Sequence, residues 1–175
     1  PDPATFAFSS NTHDFLVRIL SAVWMQPVRV LASDGEFHSF RRQMARWVES
    51  GAVVLETVPA EALVARAEAG GFDLLFASHV LFNSGTVLGD LGKLAALARP
   101  EGPWVVIDGY HGFMAMGTDL SAVADHIFYL AGGYKYAMAG EGVCFLHAPP
   151  GFAPRPAITG WYAAFDELHL PPGEV

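Results

Sequence analysis

The 175-residue chain sets 10 Lys+Arg against 18 Asp+Glu, a formal net charge of −8, and is 52% hydrophobic but only 16% charged, with a mean hydropathy of +0.31. The acidic balance excludes nucleic acid as a main partner, and no apolar run reaches the roughly eighteen residues of a membrane span. A single cysteine, Cys144, excludes a disulfide framework and fits a reducing cytoplasm, so the composition describes one domain with a real core and apolar surface to hide against a partner.

Residues 1–8 read as a loop entering a short strand. Ser9, Ser10, Asn11 and Thr12 are helix-capping types, and Phe15, Leu16, Ile19, Leu20 and Val23 follow at helical spacing. Val28 to Ala32 is a short apolar strand broken by Asp34-Gly35. The spacing predicts a helix from Phe40 to Ser50, stopped by Gly51. A strand at Val53–Leu55, a helix from Pro59 to Ala69 closed by Gly70-Gly71, and a buried strand at Leu74–Ala77 come next. Leu91 to Leu97 reads as helical, Val105 to Ile107 as a buried strand, Leu120 to Ala124 as a short helix, and Ile127–Leu130 and Val143–Leu146 as two more strands.

Continuously apolar strands alternating with helices predict an α/β fold, a mostly parallel sheet flanked by helices on both faces. The last two strands are joined without a helix, so one of them is expected to run antiparallel. Prolines 149, 150, 154, 156, 171 and 172 mark a change of character, which divides the chain into a domain over 1–150 and a Pro-rich segment over 151–175.

The chemistry concentrates in Gly132-Gly133-Tyr134-Lys135-Tyr136-Ala137-Met138-Ala139-Gly140. Lys135, one of only two lysines with Lys93, stands among small and aromatic residues with no neighbouring acid. An apolar setting disfavours the ammonium form, and a free amine attacks carbonyls to form a Schiff base. Upstream, the strand Val105-Val106-Ile107 ends in Asp108-Gly109-Tyr110-His111. Ligands in open α/β sheets bind outside the carboxyl ends of strands. A lysine that holds an aldehyde and an acid that pairs with a pyridinium nitrogen are what pyridoxal phosphate (PLP) chemistry needs.

Each of these residues also has a plainer reading. Asp108 alone could cap the turn at Gly109, and His111 could stack on a planar cofactor or sit hydrogen-bonded in the core. The helix start at Ser9–Thr12 is a natural phosphate site, or an ordinary cap. Phe37 could cover a flat ring or fill the core. Ser78 and Asn83, at another strand end, could reach a cofactor, with His79 structural. Trp161 could offer its indole N–H to a phosphate or to a neighbouring subunit. Cys144 reads as an inert core thiol.

Taken in order, Asn11-Thr12 at a helix start, Phe37 after a strand, Asp108-Gly-Tyr-His111, Tyr134-Lys135-Tyr136 and Gly140-Glu141-Gly142 resemble the large domain of class V aminotransferases. These are fold type I PLP enzymes, and Tyr134-Lys135-Tyr136 together with Gly160-Trp161 most resembles the kynureninase-like branch. The resemblance runs from about Phe8 to Phe165. It implies Lys135 as the Schiff-base lysine, Asp108 on the pyridinium nitrogen and His111 beside the ring oxygen. Tyr134 and Thr12, with a backbone amide of Asn11 or His13, would hold the phosphate. Phe37 would stack on the pyridine, and Trp161 would approach the phosphate across a dimer interface.

By the same resemblance, 1–150 is part of a PLP-binding large domain, and 151–175 leads toward a small C-terminal domain that this chain does not include. The expected activity is that of an aminotransferase or a lyase on an amino acid, with a kynureninase-type hydrolase as an alternative, in a cytoplasmic homodimer without metal. From the residues alone, a cofactor-free Schiff-base aldolase using Lys135 and a non-catalytic α/β dimerisation module also remain open.

Overall fold

A computed structural model describes residues 2–23, 26–159 and 169–171. The elements are β1 (Phe6–Ser9), α1 (Thr12–Ser21), β2 (Val28–Ser33), α2 (His38–Glu49), β3 (Val53–Val58), α3 (Leu63–Glu68), β4 (Leu74–Ser78), α4 (Leu91–Ala95), β5 (Trp104–Asp108), β6 (Phe128–Gly132) and β7 (Cys144–His147). They form one seven-stranded sheet in the order β1-β7-β6-β5-β4-β2-β3. Strands β3, β2, β4, β5 and β6 pair in parallel, and β7 runs antiparallel to both β6 and β1. The expected antiparallel strand is therefore β7.

Every residue of β4 is buried, and Trp104–Ile107 of β5 are buried too, as a sheet covered on both faces requires. From β2 the chain crosses outward to β3 and then back past β2 to β4. Right-handed crossovers in opposite directions set α2 and α3 on opposite faces. The Phe40 ring of α2 stacks on Phe76 of β4, with centroids 4.1 Å apart and planes at 12°. On α1, Phe15, Leu16, Ile19 and Leu20 form one buried stripe against β6 and β7. Burying each such side chain is worth about 1.5–3 kcal/mol. Asn11 caps α1 by accepting the Asp14 N–H on Oδ1 at 2.9 Å, a contact worth about 1 kcal/mol.

Some boundaries differ from those expected. α2 begins two residues before Phe40, at His38, with Phe37 as an N-cap that offers no side-chain bond. β3 continues to Val58, because β2 pairs with it along its whole length, up to Ser33 opposite Val58. The helix expected over 59–69 divides into a 3-10 turn at Ala60–Ala62 followed by α3. The helix expected at 120–124 is a set of turns instead. There Asp119 accepts both the N–H and the hydroxyl of Ser121, a local competitor to helical bonding. Among the described residues no helix is long and apolar enough to cross a membrane.

Candidate active site

The topology places the carboxyl ends of β2, β4 and β5 side by side, where the strand order reverses direction. Asp108 closes β5, opposite Ser78 of β4 and Leu130 of β6. Its Oδ1 accepts the Tyr110 N–H at 2.9 Å, and Oδ2 takes no hydrogen bond among the described residues. Burial pushes this carboxyl up to about 7, the Tyr110 N–H pulls it down, the Glu36 charge adds to the rise, and Lys135 opposes it. A carboxylate made this uncomfortable is stabilised by any cation placed against it.

Lys135 follows β6 in a run of bends and turns. Its Nζ lies 5.8 Å from the centre of the Tyr110 ring, within cation–π range, and it forms no ion pair among the described residues. Tyr110 reaches this position only because residue 132 is glycine: a Cβ on Gly132 would clash with the Cε2–Cζ edge of the Tyr110 ring. The apolar enclosure expected around Lys135 is not supplied by its sequence neighbours. Lys135 is half-buried, while Tyr134, Tyr136 and Met138 are 55%, 58% and 87% exposed. The segment lies outside the sheet, so its aromatic side chains have no second layer to pack against.

Phe37 forms an aromatic wall. Its centroid is 5.2 Å from Phe82, edge on, and 5.7 Å from His111. Burial, and then the Lys135 charge, lower the proton affinity of His111 below the usual histidine range, so it stands neutral at pH 7. A neutral imidazole offers one donor and one acceptor.

Thr12, Phe37, Ser39, Asp108, Tyr110, His111, Tyr134 and Lys135 line one cavity of about 250 Å³. Thr12, Ser39, Tyr110 and Tyr134 are shared with a second hollow of about 440 Å³ at the start of α1, which Asn11, His13, Glu141 and Cys144 also border. The first-turn N–H groups and dipole of α1 favour an anion there. The Asn11 side chain is committed to capping, with Nδ2 donating to Ser10 Oγ and Asp14 Oδ2. Cys144 is buried, with its thiol pushed up by burial, as an inert thiol would be.

Of the residues singled out by sequence, Thr12, Phe37, Asp108, His111, Tyr134 and Lys135 therefore meet at one cavity, with Asn11 adjoining. Ser78 does not line it: its Oγ donates to Glu36 Oε2 at 2.6 Å, and its N–H is bound by the same carboxylate. Asn83 borders a different cavity, of about 560 Å³. Trp161 lies outside the described residues. Tyr110, Ser39 and Glu36 join the surroundings of the cavity without a motif of their own in the sequence. The Gly132-Gly133 pair was the available sign that something bulky approaches there.

No protein-family model matches the chain. It is 31% identical over 161 residues to isopenicillin N epimerase of Streptomyces clavuligerus, covering 86% of this chain and 40% of that protein. Among solved structures it resembles the cystine C–S lyase C-DES in complex with its product cysteine persulfide, with a TM-score of 0.78, 22% identity, and coverage of 93% of this chain and 46% of the lyase. A PLP-bound C–S lyase from Staphylococcus hominis superposes with a TM-score of 0.64 at 14% identity, over 84% of this chain and 43% of that one. The chain spans less than half the length of the curated relatives it matches.

Proposed function

We propose that this chain is the cofactor-binding part of a class V aminotransferase-like PLP enzyme that moves a proton at the α-carbon of an amino acid, with Lys135 as the reactive amine, a reading supported by its 31% identity to isopenicillin N epimerase and by its fold. The observation that carries this reading is the convergence of Lys135, Asp108, Phe37, His111 and Thr12 on one cavity. The donor set fits PLP: a carboxylate without a cation, a flat aromatic wall, an amine, and a helix start for a phosphate. When bound, the cofactor supplies an electron sink for the charge left on the α-carbon.

The chain's own residues divide the remaining work. Lys135 would hold the cofactor through its amine and would take and return the proton at the substrate α-carbon. Asp108 would hold a proton on the pyridine nitrogen, because a partly buried carboxylate with one oxygen left unbonded gains strongly from a cation. Phe37 fixes the plane of the ring. His111, neutral and at the cavity wall, is placed to hydrogen-bond a ring substituent. Thr12 and the α1 start hold the phosphate, with Tyr134 beside them. Epimerisation, C–S cleavage and transamination all begin with the same proton removal, so the named relatives support the amino-acid substrate class more strongly than any single outcome.

A second subunit is part of this reading. Tyr134, Tyr136, Met138 and Val143, all about half exposed or more, flank the reactive amine and form an apolar surface that a neighbour would cover.

The intact protein mixed with PLP should develop a visible absorbance band. Lys135→Ala should remove that band while leaving the circular dichroism of the fold unchanged. A variant that keeps both the band and turnover would overturn the assignment.

A further inference from the structure

Directly behind Phe37 the chain buries a second carboxylate. Glu36 is fully excluded from solvent. Its Oε1 accepts the Ser33 hydroxyl and, at 3.1 Å, the Ser78 N–H; its Oε2 accepts the Ser78 N–H at 3.0 Å and the Ser78 hydroxyl at 2.6 Å. Ser33 ends β2 and Ser78 ends β4, so the carboxylate bridges the two strands at which the sheet reverses direction, at the wall of the cavity of about 560 Å³ that Asn83 also borders. The crevice at such a reversal is usually left to a ligand.

Burying a carboxylate is costly even when it is hydrogen-bonded, and burial holds Glu36 above the usual carboxylate range despite its donors. A valine or leucine would avoid that cost only by leaving the Ser78 N–H and the Ser33 and Ser78 hydroxyls without an acceptor, so the carboxylate and its cage of donors act as one unit.

Its neighbours show what that unit connects. The residue after Glu36 is Phe37, which opens α2 with no side-chain cap to fix it. Ser78 is the register partner of Asp108, and the next residue, His79, donates its N–H to the Asp108 carbonyl at 2.8 Å. One buried side chain therefore ties the wall of the cavity that carries Phe37 to the wall that carries Asp108. Its negative charge also adds to the proton affinity of Asp108.

We propose that Glu36 is a positioning residue: by bridging the ends of β2 and β4 it fixes the Phe37 ring and the Asp108 carboxylate at the spacing a flat cofactor ring needs. This deepens the PLP reading and rests on it. Glu36 does not line the cavity that Asp108 and Lys135 share; it acts through Phe37 and Ser78.

The test compares intact wild-type protein with Glu36→Gln and Ser78→Ala. Glu36→Gln keeps the shape of the side chain but removes its charge and turns one acceptor into a donor facing a cage of donors. Ser78→Ala removes one hydroxyl from the cage and leaves the charge. Each protein is titrated with PLP, the visible circular dichroism of the bound cofactor is recorded, and the cofactor-free form is melted.

Glu36→Gln is expected to weaken PLP binding about tenfold or more and to change the visible dichroism, with a smaller change of the same sign in Ser78→Ala. PLP affinity and visible dichroism unchanged in both variants would overturn the proposal. So would a lower melting temperature with those two signals unmoved, which is the result of a purely structural role. If Glu36→Gln fails to fold, Ser78→Ala decides alone by the same two signals. A wild-type protein with no visible band would sink the PLP reading itself, whereas a normal wild-type band with unaltered variants sinks only the role of Glu36.

Discussion

Asp108 and Lys135 face one cavity, yet the first closes a buried strand and the second sits in a run of bends among exposed aromatic residues. Asp108 is flanked by hydrogen-bonded strands on both sides, and Tyr110, Glu36 and Lys135 all perturb its charge. Lys135 is held from its own chain chiefly by the face of one tyrosine ring. The difference separates two physical tasks. A group that must hold a proton on a ring nitrogen works through fixed placement and low dielectric, which the sheet provides. An amine that must attack, release and exchange protons needs freedom and access, which bends outside the sheet provide. Strand ends thus carry the Asp108 side of the cavity, and a glycine-flanked loop carries the Lys135 side.

The comparison breaks most severely at Asp108. Asp108→Asn keeps the shape and removes the charge, so turnover of the intact enzyme should fall by several orders of magnitude. The same change should stabilise the cofactor-free protein. An ordinary aspartate titrates near 3.8 and Asp108 at about 7, so the folded state holds a proton that the unfolded chain has given up. The penalty for burying the charge therefore grows as pH rises from about 4 to about 7 and is constant above that. The variant should melt several degrees above wild type at pH 8, with the gap closing toward pH 4, as measured by thermal melts across that range. A wild-type melting temperature in the variant at pH 8 would mean that the carboxyl is not buried as described.

A smaller effect sharpens the boundary between ring site and phosphate site. Thr12 contributes one hydroxyl at the start of α1, beside the cavity. Losing a hydrogen bond to a charged group costs about 1.5–3 kcal/mol, or roughly tenfold to a hundredfold in affinity. Thr12→Val should weaken PLP by that factor and pyridoxal, which lacks the phosphate, much less. Equal weakening of both, measured by equilibrium titration, would move the phosphate elsewhere.

How much of this could be read from sequence follows the same division. β2, β4 and β5 are continuous apolar runs, and α1 has a capping residue and a clean buried stripe, so their placement followed from local pattern. Asp108 stands out in the sequence because a buried strand ends on it, and Lys135 because lysine is rare in this chain; the structure brings both to one cavity. Glu36 was missed because its burial comes from Ser78, forty-two residues away. Asp34-Gly35 beside it reads as an ordinary polar turn. Ser78 was drawn toward the cofactor by its strand-end position, and only the hydrogen-bond partners show where its hydroxyl is spent. The helix expected at Leu120–Ala124 had the right composition, but Asp119 bonds locally to Ser121. Local pattern carries the elements, while the pairings across the sheet that give the site its electrostatics have no signature in a single sequence.

The central claim is that Lys135 is the residue to which the cofactor attaches. It is tested most directly by adding PLP to the intact protein, reducing with borohydride, digesting, and locating the added mass. Pyridoxyl phosphate mass on the peptide carrying Lys135, and none on the peptide carrying Lys93, is the result predicted here. Label on Lys93, or an unlabelled Lys135 in a protein whose visible band has been bleached by the reduction, would contradict it.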